Sequence, residues 1–158
     1  MVHAGDTDRR DVDGIHPRET ARQVLEIEAA AISGLVSRLD EGFDRTVLWM
    51  AACQGRVVTT GMGKSGIISR KIAATLASTG TPALFLNPAE AIHGDLGMLA
   101  SGDLVLVVSN SGETEEIVRL IPMVKRLGIP LVSLVGNRES TIARNSDLVL
   151  DVGVDREA

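Results

Sequence analysis

Between Thr59 and Lys71 the chain reads TTGMGKSGIISRK, and Gly61, Gly63, Lys64, Ser65 and Gly66 fall within six positions. The stretch follows a short apolar run and opens a helical pattern. Glycines let backbone N–H groups come close to a ligand, and a lysine brings positive charge. The first turn of a helix adds unpaired amides and a partial positive charge. Together these are the components of a phosphate site. Which phosphate is held depends on spacing. A nucleotide P-loop, G-x-x-x-x-G-K-[ST], needs its leading glycine at position 58, where Val58 lies inside the apolar run. Without that glycine the polyphosphate cradle is missing. The dinucleotide pattern G-x-G-x-x-G is matched literally by Gly61, Gly63 and Gly66. Its confirming acid should end the next strand, but that strand ends at Leu86–Asn87 and Glu90 comes late.

A second turn offers a third reading. SNSGETEEI, Ser109 to Ile117, again lies between an apolar run and a helical pattern, with hydroxyls at Ser109, Ser111 and Thr114 beside Asn110. Serines at such places are ordinarily helix caps. Caps explain one or two hydroxyls, not four beside a glycine-rich lysine loop. Ser65 and the Ser109–Thr114 group on neighbouring strand ends could close on one phosphate monoester.

The elements that would position these turns are readable from periodicity. Val24, Ile27, Ala31, Leu35 and Leu39 recur at helical spacing within residues 18–39, and a second helix fits Asp44 to Gln54. Strands fit RVVTTG, PALFL, DLVLVVS, IPLVSLV and DLVLDV. Helices fit SGIISRKIAATLAST, ETEEIVRLIPMVKRLG with Pro122 as a potential kink, and a short STIARN. NPAEAIHGDLGML reads as irregular, with one helical turn. Strand–helix alternation with continuous apolar strands predicts an α/β fold: a three-layer αβα sandwich around a five-stranded parallel sheet. In such sheets ligands sit at the carboxyl ends of strands.

The 158 residues suit one domain, and 44% are hydrophobic but only 2% aromatic. Few aromatics and a formal net charge of −5 argue against nucleic-acid partners and anionic lipid. The lone Cys53 excludes a disulfide framework within the chain. No apolar run approaches the ~18 residues of a membrane span. Residues 1–17 are charged, lack a hydrophobic signal core and are expected to be a flexible lead-in. A cytoplasmic protein without a membrane partner is expected.

GMGKSG, TLASTGTPALFLNPAEAIHGDLGM and VSNSGETEEIVRLIPMVKRLGIPL resemble the sugar isomerase (SIS) domain, and within it the arabinose 5-phosphate isomerase branch. The likeness runs from about residue 18 to 158. It implies interconversion of D-ribulose 5-phosphate and D-arabinose 5-phosphate through an enediol, a supply step for the Kdo sugar of lipopolysaccharide. It implies a phosphosugar substrate, no redox cofactor, and a dimer or tetramer with sites at subunit interfaces. The resemblance makes Glu116 the general base, although by position alone it reads as a solvent-facing helix glutamate. It assigns Glu157 a second catalytic carboxylate. Lys64 would neutralise the enediolate oxygen or the phosphate. His93 would assist ring opening or bind a sugar hydroxyl. Gly80 and Thr81 match positions that contact sugar.

The sequence departs from the branch in two places. Asn87 stands where some relatives carry a metal-binding histidine, so no metal is expected. The chain stops at VDREA, where relatives continue into a C-terminal helix carrying another functional histidine and often into paired CBS modules. The expectation is therefore an SIS phosphosugar-binding domain over 18–158 that lacks this helix. A non-catalytic phosphosugar sensor is the alternative. A sister 6-phospho-3-hexuloisomerase is opposed by HGDLGM.

Overall fold

The computed structural model describes residues 16–154 and 156; Glu157, like residues 1–15, lies outside the described residues. Six α-helices and five strands follow in the order α1 (Pro17–Gly34), α2 (Glu41–Ala52), β1 (Val57–Thr60), α3 (Gly63–Ser78), β2 (Ala83–Leu86), α4 (Pro88–Ile92), β3 (Leu104–Ser109), α5 (Glu115–Arg126), β4 (Leu131–Val135), α6 (Thr141–Asn145) and β5 (Leu148–Asp151). A 3-10 turn, Leu35–Arg38, prolongs α1, and another, Asp95–Met98, follows α4. None of these helices is long and apolar enough to cross a membrane.

The sheet is parallel throughout, in the order β2-β1-β3-β4-β5. The chain runs outward from β1 to β2, returns across β1 to β3, and then builds the other half. The direction reverses between β1 and β3, where Thr60 pairs with Val107. That reversal opens a crevice at the carboxyl ends of these two strands.

Side chains alternate across the sheet and fill two cores. Val58, Leu86, Val105, Val107, Leu131 and Val135 meet α4, α5 and α6 on one face. Val57, Leu104, Leu106, Val132 and Leu148 meet Trp49 and Met50 of α2 and Ile72 and Leu76 of α3 on the other. Helix α5 buries Ile117, Leu120, Ile121 and Val124, one stripe at the i, i+3, i+4, i+7 spacing, and continues through Pro122 to Arg126. The three expected layers are therefore present.

Helix α2 starts three residues before the sequence-based boundary. Asp40 accepts from the amides of Gly42 (2.9 Å) and Phe43 (3.3 Å), and this cap outweighs the weak helix preference of Gly42. The region read as irregular holds α4 and the second 3-10 turn, with Pro88 at the first helical position and Asn87 as the cap.

At the amino edge of the sheet, buried Asp103 ties the starts of β1 and β3 together. Its carboxylate accepts from the amides of Arg56 (2.8 Å) and Ala100 (2.9 Å) and lies 3.5 Å from the Arg56 guanidinium. A Cβ on Gly55 would sit 2.4 Å from Asp103 Oδ1, so only glycine fits there. Removing the carboxylate strands two amide donors and the Arg56 charge. Asp103→Ala is expected to cost about 2–4 kcal/mol in urea unfolding, with Asp103→Asn losing less because one acceptor oxygen remains.

Candidate functional site

The glycine-rich turn leaves β1 at Gly61 and enters α3 at Gly63. Two of its glycines serve contact rather than flexibility. A Cβ on Gly61 would lie 2.8 Å from the Ser65 carbonyl and the Ser69 hydroxyl, and one on Gly66 would lie 2.7 Å from the Gly61 carbonyl. Their absence lets the turn close directly on its own helix. Ser69 reinforces the closure: its hydroxyl lies within donating distance of the Thr60 (3.0 Å) and Ser65 (2.9 Å) carbonyls. The Thr59 hydroxyl donates to the Ser69 carbonyl (2.8 Å).

The helix start that results is open. Its N-cap, Met62, offers no side-chain acceptor, and the first helical bond runs from the Gly66 amide to the Met62 carbonyl (3.1 Å). The amides of Gly63, Lys64 and Ser65 precede it. Lys64 is exposed, and no ion pair engages it among the described residues.

The second turn gives the same result by a different route. Thr114 is the N-cap of α5, but its hydroxyl faces the Ser109 hydroxyl (2.9 Å) and does not cap the helix. Ser109 also accepts from the Gly112 amide (3.1 Å). The first helical bond runs from the Val118 amide to the Thr114 carbonyl (3.0 Å), which leaves the amides of Glu115, Glu116 and Ile117 open. By contrast, Asp40, Asn87 and Ser140 cap α2, α4 and α6 with their side chains.

The turn is held from behind by the segment joining β4 to α6. The Gly136 amide donates to the Asn110 carbonyl (2.9 Å) and the Ile142 amide to the Gly112 carbonyl (3.0 Å). Gly112 adopts φ +67°, and a Cβ there would lie 2.0 Å from the Ser140 hydroxyl, so it must be glycine. The Thr141 amide donates to Glu113 Oε1 (2.7 Å). That backbone hydrogen bond, with smaller contributions from the Thr141 side chain and nearby Arg144, holds the Glu113 carboxyl below its ordinary range.

Within one chain the structure brings Lys64, Ser65, Asn110, Ser111, Thr114 and Glu116 to the carboxyl edge around the β1–β3 reversal. Ser65 is the third residue of α3 and Glu116, half-buried, the second of α5. Ser111 and Asn110 are exposed; the Ser111 hydroxyl accepts from the Glu113 amide (3.2 Å) and keeps its own proton free to donate. Ser109 is only 2% exposed and spends its hydroxyl inside the turn, so it supports the site rather than lining it. His93 is the C-cap residue of α4, exposed, its amide on the Glu90 carbonyl (3.0 Å). Asn87 is engaged as the α4 cap, accepting from Ala89 (3.1 Å).

Gly80 and Thr81 are not brought to this cluster. They close α3 and precede β2, at the amino edge, a helix length of about 24 Å from Gly63. A part for them in the same site requires a second subunit. Sequence reasoning missed Thr60, whose hydroxyl is buried with no hydrogen-bond partner among the described residues at the end of β1, and the clasp by Gly136 and Ser140. TTG before GKSG shows the first only in hindsight; nothing local marks the second.

The SIS domain model matches residues 50–158. Arabinose 5-phosphate isomerase KdsD of Pseudomonas aeruginosa is 48% identical over 149 residues, 94% of this chain and 45% of its own. Arabinose 5-phosphate isomerase KpsF of Escherichia coli O6:H1 is 46% identical over 139 residues, 87% of this chain and 42% of its own. The chain thus spans less than half the length of these curated relatives. An E. coli CFT073 protein solved in complex with arabinose 5-phosphate superposes with a TM-score of 0.78 at 38% identity, over 90% of this chain and 78% of the other. The chain belongs to the SIS-domain family.

Proposed function

We propose that this chain is the isomerase domain of an arabinose 5-phosphate isomerase, exchanging D-ribulose 5-phosphate and D-arabinose 5-phosphate. One observation carries the reading: the two helices that start at the β1–β3 reversal are both left without a side-chain cap, and Lys64 and Glu116 stand in their first turns. Six open amides, the two helix dipoles and the hydroxyls of Ser65, Ser111 and Thr114 suit one phosphate monoester. The relatives named for this activity at 46–48% identity support the substrate.

With the phosphate held there, the open-chain carbons extend toward Glu116. Its carboxylate takes a proton from C1 of the ketose and returns it to C2, through an enediol. The Lys64 ammonium stabilises the oxygen that gains negative charge. His93 assists ring opening or binds a sugar hydroxyl, and Glu157 shares proton transfer. Asn87 caps α4 where a metal ligand would stand, and the reaction is expected to survive chelation. The product supplies Kdo for lipopolysaccharide in the cytoplasm.

The active unit is a homo-oligomer with sites shared between copies. Helix α1 has no buried residue, and Leu25, Ile32 and Val36 are 65–71% exposed along it and its 3-10 extension. Such a stripe suits a second copy of the chain.

NMR of the protein mixed with ribulose 5-phosphate should show arabinose 5-phosphate forming, with EDTA present and no metal added. Glu116→Gln should lower kcat by about 10³ while calorimetry finds ribulose 5-phosphate still bound. Parent-rate turnover by this variant would remove Glu116 from the role of base, and heat from ATP or NAD instead would overturn the phosphosugar reading. In light scattering, Ile32→Glu with Val36→Glu should reduce the parent's mass to a smaller assembly; an unchanged mass would exclude this face from subunit packing.

A further inference from the structure

We propose that Glu113 is the positioning residue of the Ser109–Thr114 turn, docking it on the first amide of α6 so that the α5 amides stay aimed at a bound phosphate. The inference rests on the phosphosugar reading for the identity of the ligand, but its structural part does not.

The first three amides of α6 are shared out. Thr141 donates to Glu113 Oε1 (2.7 Å), Ile142 to the Gly112 carbonyl (3.0 Å) and Ala143 to the Ser140 hydroxyl (3.3 Å). Two of the three acceptors therefore come from the turn and only one from the helix's own cap. Helix α6 is in turn fixed to the core by Ile142 and Ala143, which are 0% and 4% exposed. The helix transmits the rigidity of the core to the turn.

Glu113 has a particular share in this. The backbone bonds from Gly136 and Ile142 fix Asn110 and Gly112. The turn must still pass through Glu113 and Thr114 before α5 begins. Among the described residues, the Glu113 carboxylate makes the one side-chain hydrogen bond from this turn to α6. The Thr141–Glu113 hydrogen bond is itself exposed, so water could replace the carboxylate cheaply. The contact therefore gives α6 little, whereas the turn gains a fixed register at the residue next to Thr114. A charged acceptor on a helix N-terminus is also favoured by the helix dipole.

The test compares the parent with Glu113→Ala and Glu113→Gln. Gln keeps an oxygen that accepts from Thr141; Ala does not. Glu113→Ala should raise KM for ribulose 5-phosphate about fivefold, with kcat and the thermal midpoint near those of the parent. It should speed amide hydrogen exchange at Gly112, Glu113 and Val118, the hydrogen-bonded amides of the turn, by a similar factor. Glu113→Gln should restore both. Parent-like KM and exchange in Glu113→Ala would overturn the proposal, and so would a Gln variant as impaired as the Ala one. Failure of the parent itself to bind ribulose 5-phosphate would count against the functional reading alone, because exchange at Gly112, Glu113 and Val118 decides the docking role without any substrate.

Discussion

A helix that begins in a folded protein must find acceptors for its first amides, and the two helices that start at the β1–β3 reversal find none in their cap side chains. Helix α3 begins after Met62, which has no side-chain acceptor, and α5 begins after Thr114, which turns its hydroxyl toward Ser109. A cap lost in this way typically forgoes about 1 kcal/mol of stability. The same chain caps α2, α4 and α6. Helix α1 also lacks a side-chain cap, but Pro17 at its start removes one of the orphan amides; α3 and α5 are the uncapped helices that begin where the strand order reverses. The open amides are the constraint to which the surrounding structure answers.

The support around them is asymmetric. The amino edge of the sheet is locked by Asp103 across β1 and β3. The carboxyl edge is held by devices that leave backbone exposed: the Gly61–Gly66 closure on one side and the β4–α6 clasp on the other. Each needs a missing Cβ, at Gly61, Gly66 and Gly112. Tight backbone contact fixes a turn without placing side chains in the crevice. Rigidity comes from beneath and behind, and the open side stays free for a ligand.

The five strands, their parallel arrangement and the long helices were legible because fully buried strands read as unbroken apolar runs and α5 as one stripe. The start of α2 was not, because the Asp40 cap competes with a glycine at Gly42 and local preference favoured the glycine. For the site, the two turns were legible as helix starts rich in hydroxyls. What could not be read was which hydroxyls face outward. Ser109 and Ser111 look equivalent in sequence, yet one is buried in the turn and the other exposed. The division depends on Gly112 pressing against Ser140, twenty-eight residues later, a tertiary contact without local signal. Gly80 and Thr81 show the converse: their motif is clear, but the length of α3 carries them to the opposite edge.

The placement of Lys64 and Glu116 follows from the layers. Helix α3 covers one face of the sheet and α5 the other. Residues in their first turns therefore approach the reversal from opposite sides. Elsewhere some surface charges are engaged, Arg22 with Glu19 and Glu26, Arg38 with Asp151, Arg119 with Glu115 and Arg144 with Glu139, while others such as Arg18, Lys71 and Arg126 are in no ion pair among the described residues. Among the described residues neither Lys64 nor Glu116 is in an ion pair, with each other or with another group. Had both been carried on one helix four residues apart, a mutual salt bridge would have been the ordinary outcome. In the proposed reaction the separation matters, because one group must accept a proton from carbon while the other balances charge on the neighbouring oxygen. A parallel sheet whose chain direction reverses between two helices of opposite faces supplies that separation without strain. The fold thereby sets a carboxylate and an ammonium in the first turns of two helices on opposite faces of the sheet, at the same strand-order reversal.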